Sequence, residues 1–154
     1  MATIKPTFAL TANSSSAATP GPLSIALSLS ATDSLDVTKV ETKILDVKGD
    51  HTASVDGGIL WDASDYTASG EAGTDGAFIY VKNIAASDSG RNIMIGAGTL
   101  ENLSNNGEAD RLFTLKPGEF AWFPWDCTQD INYDANGDTS SALESWVFVR
   151  TGTA

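Results

Sequence analysis

The sequence predicts an all-β fold, an antiparallel β-sandwich or jelly roll of about eight or nine strands. Three observations carry that prediction. Short apolar runs recur along the chain, Leu23 to Leu29 alternates strictly between apolar and small polar residues, and clusters of Gly, Asn, Asp and Ser separate the runs. No stretch carries a long amphipathic helical pattern capped at both ends, which excludes a sheet layered with crossover helices.

Residues Thr3 to Thr11 read as an opening strand with Phe8 and Leu10 on one face, followed by a loop from Asn13 to Pro22. Residues 1–16 read first as an ordinary edge strand of the chain's own sheet, with an extended arm that adds a strand to a neighbouring chain as the alternative. In the next run Leu23, Ile25, Leu27 and Leu29 alternate with Ser24, Ala26, Ser28 and Ser30, which sets one apolar face against one small polar face. Val37 to Val47 is readable in two ways. Val37, Val40, Ile44 and Val47 fit helical spacing, but β-branched content and flanking turns favour a strand.

Beyond Lys48-Gly49-Asp50, apolar stretches follow at Ile59–Trp61, Ala77–Ile84, Ile93–Ile95, Arg111–Leu115, Phe120–Trp125 and Leu143–Val149. Their connectors, such as Asp56-Gly57-Gly58, Asn105-Asn106-Gly107 and Asn136-Gly137-Asp138, hold residues that tolerate positive φ or bond their own backbone. Phe78 to Asn83 combines bulky and β-branched residues, as suits a central strand paired on both sides. In the last strand Trp146, Phe148 and Arg150 alternate with Val147 and Val149. Without an internal repeat or composition break, the 154 residues read as a single domain, 1–154.

Lys+Arg 9 against Asp+Glu 20 gives a net charge of −11, which repels phosphate backbones and anionic lipid and so excludes nucleic acid and membrane surfaces as expected partners. The acidic residues are scattered singly and suit a solvated surface. The N-terminus lacks an apolar run of signal-peptide length, and nowhere do about 18 apolar residues run together, so the chain is expected to be made in a cytoplasm.

Catalytic and metal motifs are weak. Cys127 and His51 are single representatives of their types, far apart, with neither a disulfide partner nor a nucleophile signature. No Gly-x-Ser-x-Gly elbow surrounds a serine, and Gly96-Ala97-Gly98 lacks the third glycine of a dinucleotide loop. Asp134-Ala135-Asn136-Gly137-Asp138 has the oxygen spacing of part of a calcium loop, but Glu144 comes too late to complete it, so a plain Asn-Gly turn is expected. Asp126, Asp130 and Asp134 lie near one another in sequence, but nothing there fixes the separation a glycosidase pair needs. The expectation is a protein without catalytic residues, cofactor or metal.

The densest segment is Leu112 to Trp125, two apolar runs hinged at Pro117-Gly118 and holding five aromatic residues. Leaving such rings in water forgoes about 1.5–3 kcal/mol apiece, so they belong in a core or at a contact. Phe8, Trp61, Trp122 and Trp125 are the candidate subunit-contact residues, and Trp61, Trp122 or Trp125 could alternatively form a sugar-stacking platform.

Three segments, Ala77-Phe78-Ile79-Tyr80-Val81-Lys82-Asn83, Leu115-Lys116-Pro117-Gly118-Glu119-Phe120-Ala121-Trp122-Phe123-Pro124 and Leu143-Glu144-Ser145-Trp146-Val147-Phe148, taken in order, resemble small virion structural proteins of tailed bacteriophages, especially the marine and cyanobacterial kind. The resemblance covers about half the chain, from Ala77 onward. It implies a β-sandwich capsid decoration protein, present in many copies or as a homo-oligomer, bound to the major capsid protein or other virion proteins on the capsid exterior after assembly in the host cytoplasm. A tail-, knob- or fibre-associated module is the neighbouring possibility, and a non-catalytic carbohydrate-binding module the rival from another class. Cupin-like jelly rolls also resemble the chain in outline, but their metal pattern needs several histidines where this chain has only His51.

Overall fold

A computed structural model describes residues 2–4, 7–13, 24–30, 35–47, 57–67, 76–86, 90–98, 111–135 and 141–150. The chain divides into two compact units, Met1–Val37 and Thr38–Ala154. The first holds β1 (Ala2–Ile4), which pairs antiparallel with the opening residues of β4 (Leu35–Val47). It also holds the antiparallel ribbon of β2 (Thr7–Asn13) and β3 (Ser24–Ser30). In that ribbon Phe8 stands opposite Leu29 and Leu10 opposite Leu27, so the strict alternation of the sequence becomes cross-strand register.

The second unit is built from the rest of β4, β5 (Gly58–Trp61), a four-residue helix α1 (Ser64–Thr67), β6 (Ala77–Asn83), β7 (Ile93–Ala97), β8 (Arg111–Leu115), β9 (Phe120–Trp125), β10 (Ile131–Ala135) and β11 (Ser141–Arg150). Its eight strands form two four-stranded sheets, ordered β4-β11-β6-β9 and β5-β10-β7-β8. The pairing is nested. β7 lies beside β8, β6 beside β9, β5 beside β10 and β4 beside β11, as if one long hairpin had been rolled into a sandwich. That is a jelly roll, one of the two architectures the sequence predicts.

Alternation explains the core. On β6 Ala77, Ile79, Val81 and Asn83 are buried, and on β11 Leu143, Ser145, Val147 and Val149 are. They meet Leu60, Trp61, Ile93, Ile95 and Ile131 of the facing sheet. Ser145 sits in this apolar row because Trp61 needs it: the indole Nε1–H donates to Ser145 Oγ at 2.8 Å, and that hydroxyl lies 3.1 Å from the Tyr80 carbonyl.

The β4 strand resolves the ambiguous pattern of Val37 to Val47. Lys39, Glu41, Lys43 and Leu45 alternate with exposed Val40, Thr42, Ile44 and Asp46, a period of two along the part of β4 that runs past its pairing with β1. The inward charges are used. Lys43 Nζ donates to the Leu60 carbonyl at 2.6 Å and sits 4.1 Å from the Trp61 ring centre, while Glu41 pairs with Lys39 at 2.7 Å and accepts the Tyr66 hydroxyl at 2.5 Å. Charged residues turned inward also protect a sheet edge against unwanted pairing.

The Pro117-Gly118 segment is a corner between sheets, not a hairpin within one, since β8 pairs with β7 and β9 with β6. Glu119 N–H donates to the Lys116 carbonyl at 2.9 Å and Gly118 has φ +82°, a type II turn with Pro and Gly in their preferred places. The corner is latched by Asn83, fully buried at the end of β6. Its Nδ2 donates to the Arg91 and Leu115 carbonyls at 2.7 and 3.0 Å, and its Oδ1 accepts Ala85 N–H at 3.1 Å and the Ser141 hydroxyl at 3.3 Å. Gly118 N–H donates to the Asn83 carbonyl and Asn83 N–H to that of Glu119. The asparagine that closes one motif segment therefore holds the turn that opens the next.

Candidate functional site: an outward aromatic face

The sheet β4-β11-β6-β9 has a second face, turned away from the core, and aromatic residues cover it. Register places Phe148, Phe78 and Pro124 in one row across β11, β6 and β9, Trp146, Tyr80 and Trp122 in the next, and Glu144, Lys82 and Phe120 in a third. A sandwich sheet facing water ordinarily presents polar side chains there. Here Phe120 is 55% exposed, Trp122 37% and Trp146 36%, with Val40 and Ile44 of β4 exposed beside them.

Four of the rings form one connected cluster and two more form a pair beside it. Phe78 stacks on Trp122 with centroids 5.4 Å apart and planes 12° from parallel, Trp122 meets Phe148 at 5.1 Å, and Phe148 stacks on Trp146 at 6.2 Å and 11°. Tyr80 leans against Phe120 at 6.0 Å. Trp122 on β9 and Phe148 on β11 touch although β6 lies between their strands, so the cluster closes over the middle strand. Polar groups lie among and around it. Trp146 Nε1–H donates to Glu144 at 3.0 Å, and the Arg150 guanidinium lies 5.2 Å from the Phe78 ring centre. Partial burial, then the Glu144 carboxylate, raises the Tyr80 hydroxyl above its ordinary pKa, so it is a neutral donor at physiological pH. Among the side chains described on this face, Asp46, Lys82, Glu144 and Arg150 cancel in charge, in a chain of net −11.

Of the four expected contact residues, Trp122 lies on this face. Trp61 and Trp125 do not: they are 0% and 6% exposed, members of the core that pack edge-on against Tyr66 at 6.2 and 5.3 Å, so they offer a partner or sugar no free ring. Phe8 lies on β2, and its side chain falls outside the described residues. Sequence reasoning missed Phe78, Phe120, Trp146 and Phe148 as a surface. Their alternation with Ile79, Ala121, Val147 and Val149 made both faces of each strand apolar, which reads as double burial.

Each of the three aspartates accepts hydrogen bonds from the backbone. Asp126 Oδ1 accepts Thr128 N–H and Oγ–H at 3.0 and 2.8 Å, and Asp130 Oδ1 accepts Ala63 N–H at 2.8 Å. Asp134 is buried in β10, where its Oδ1 accepts Ala135 N–H at 2.7 Å. His51, Asn136, Gly137 and Asp138 lie outside the described residues. Cys127 is buried with φ 59°, and burial pushes its thiol up to about 11. Neither a protein-family model nor a curated protein matches this sequence.

Proposed function

We propose that the chain is a non-catalytic bacteriophage virion structural protein, a capsid decoration module that docks on the capsid exterior through the aromatic face of β4-β11-β6-β9. The carrying observation is that face: a ring-covered sheet surface on an acidic domain is the surface feature expected of a protein–protein contact. The resemblance converges on it, because the segments that resemble phage virion proteins are the adjacent strands β11, β6 and β9 together with their Asn83-latched corner. Fold alone carries no function, and the jelly roll is compatible with many.

A glycan platform is less well supported, since sugars stack on free ring faces whereas here Phe78 stacks on Trp122 and Phe148 on Trp146. The test is immunogold electron microscopy of purified virions with an antibody to this chain. Regular label over the head is expected. Label confined to tail or vertices moves the protein to a tail-associated role, and unlabelled particles together with tryptophan fluorescence quenched by oligosaccharide would replace the proposal with the sugar-binding one.

A further inference from the structure

The corner where β9 leaves its sheet holds a second feature, independent of the aromatic face. An open cleft of about 340 Å³ is lined by Ala97, Leu112, Phe123, Pro124, Trp125 and Ile131, with Asp126, Thr128 and Gln129 along one side. Its size falls at the small end of ligand sites, room for one side-chain-sized group.

The wall is preformed. Trp125 Nε1–H donates to the Gln129 carbonyl at 2.8 Å and so closes the loop 126–129, and Thr128 bonds Asp126 Oδ1 twice. Cys127, buried in the left-handed region, anchors the same loop. Among the described residues, every lining side chain is apolar or neutral except one. The bonds from the Thr128 amide and hydroxyl, with the backbone amide of Asp126 itself, hold the Asp126 carboxyl below its ordinary pKa, and the side chain is exposed at the cleft. An apolar floor with a single carboxylate at its rim selects a ligand of the matching shape and sign. The net charge of −11 disfavours anions and draws cations to the whole domain.

We propose that this cleft binds an amphipathic cation, a compact apolar or aromatic group carrying an ammonium, with the apolar part against Leu112, Phe123 and Ile131 and the ammonium on Asp126. The test is titration of the full-length, ¹⁵N-labelled protein with phenethylammonium and with its neutral analogue 2-phenylethanol. Saturable shifts are expected at the Trp125 indole N–H and the Thr128, Gln129 and Ile131 amides, and not at the Trp122 indole. Phenethylammonium should bind about fivefold more tightly than the alcohol, the factor that an exposed ion pair of about 1 kcal/mol provides. Asp126→Asn keeps the oxygen that Thr128 uses, so it should fold normally and bring the two affinities together.

An acetylated, amidated Phe-Lys dipeptide separates the sources of that chemistry. Equal or tighter binding assigns the cleft to a basic segment of a protein partner, and exclusion of the dipeptide assigns it to free amines. Absence of saturable shifts at the cleft, or a preference for the cation that survives Asp126→Asn, would overturn the proposal. Neither result bears on docking through the sheet face, which uses different residues.

Discussion

Replacing Asn83 by alanine removes the side chain that ties the end of β6 to the segment before β7, to the end of β8 and to the start of β11. Three of its bonds, at 2.7, 3.0 and 3.1 Å, have good length, and the fourth at 3.3 Å is weak. At about 1 kcal/mol net for each good bond, Asn83→Ala should cost about 3 kcal/mol. For a domain of this size that lowers Tm by roughly 10 °C.

Asn83→Asp should cost more at neutral pH although it is nearly isosteric, because it aims a carboxylate oxygen at the Arg91 and Leu115 carbonyls. Burial and those carbonyls raise the folded pKa of the new acid above its unfolded value, so the deficit should shrink as pH falls through the folded pKa. Urea unfolding followed by tryptophan fluorescence is the assay, and it is selective, since Trp61, Trp122, Trp125 and Trp146 all lie in the unit 38–154. An Asn83→Ala variant within about 0.5 kcal/mol of wild type, or an Asn83→Asp variant no worse than Asn83→Ala at neutral pH, would refute the latch.

Gly118→Ala and Gly76→Ala should differ although both glycines have positive φ: at Gly118 an added Cβ meets nothing within 4 Å and only backbone strain of about 1 kcal/mol remains, whereas at Gly76 it runs into the Trp125 carbonyl oxygen. Urea midpoints should rank them wild type, Gly118→Ala, Gly76→Ala. Lys39, then Tyr66, hold the Glu41 carboxyl below its ordinary 4.5, so its contribution is present above that value and is lost as pH falls through the lowered folded pKa. Glu41→Gln should therefore lose less stability than wild type between pH 7 and pH 3, and equal losses in urea titrations would contradict the pairing. Cys127, its thiol pushed up to about 11 by burial and then by Asp126, should react with a disulfide reagent at pH 8 only as fast as the domain opens, and at once in urea.

Much of this fold was legible because strands advertise themselves by alternation. Ile59–Trp61, Ile93–Ile95, Arg111–Leu115, Phe120–Trp125 and Leu143–Val149 all lie in observed strands, and Ala77–Ile84 overruns β6 by one residue. β10 was not legible. Ile131-Asn132-Tyr133-Asp134-Ala135 carries two polar residues that are nonetheless buried, and Asn132 reaches the Gly98 carbonyl at 2.5 Å. Tertiary hydrogen bonding of that kind leaves no periodic trace. The turn Lys116 to Glu119 was visible through its Pro-Gly pair, but local chemistry does not say whether the strands that follow a turn pair with each other or enter different sheets. The candidate site was half visible. Trp122 stood out by size, while the rings beside it came together through register across β11, β6 and β9, which the sequence does not print.

The docking claim is tested most directly by co-sedimentation of the purified chain with virions or capsids that lack it, comparing wild type with the double variant Trp122→Ser/Trp146→Ser. Both side chains lie on the outward face, so the variant should unfold cooperatively in urea and keep its core. Wild type should pellet saturably with the particles, with at least a tenfold loss for the folded variant, on the order of the cost of removing interface tryptophans. Equal pelleting of a folded Trp122→Ser/Trp146→Ser variant would contradict the docking claim.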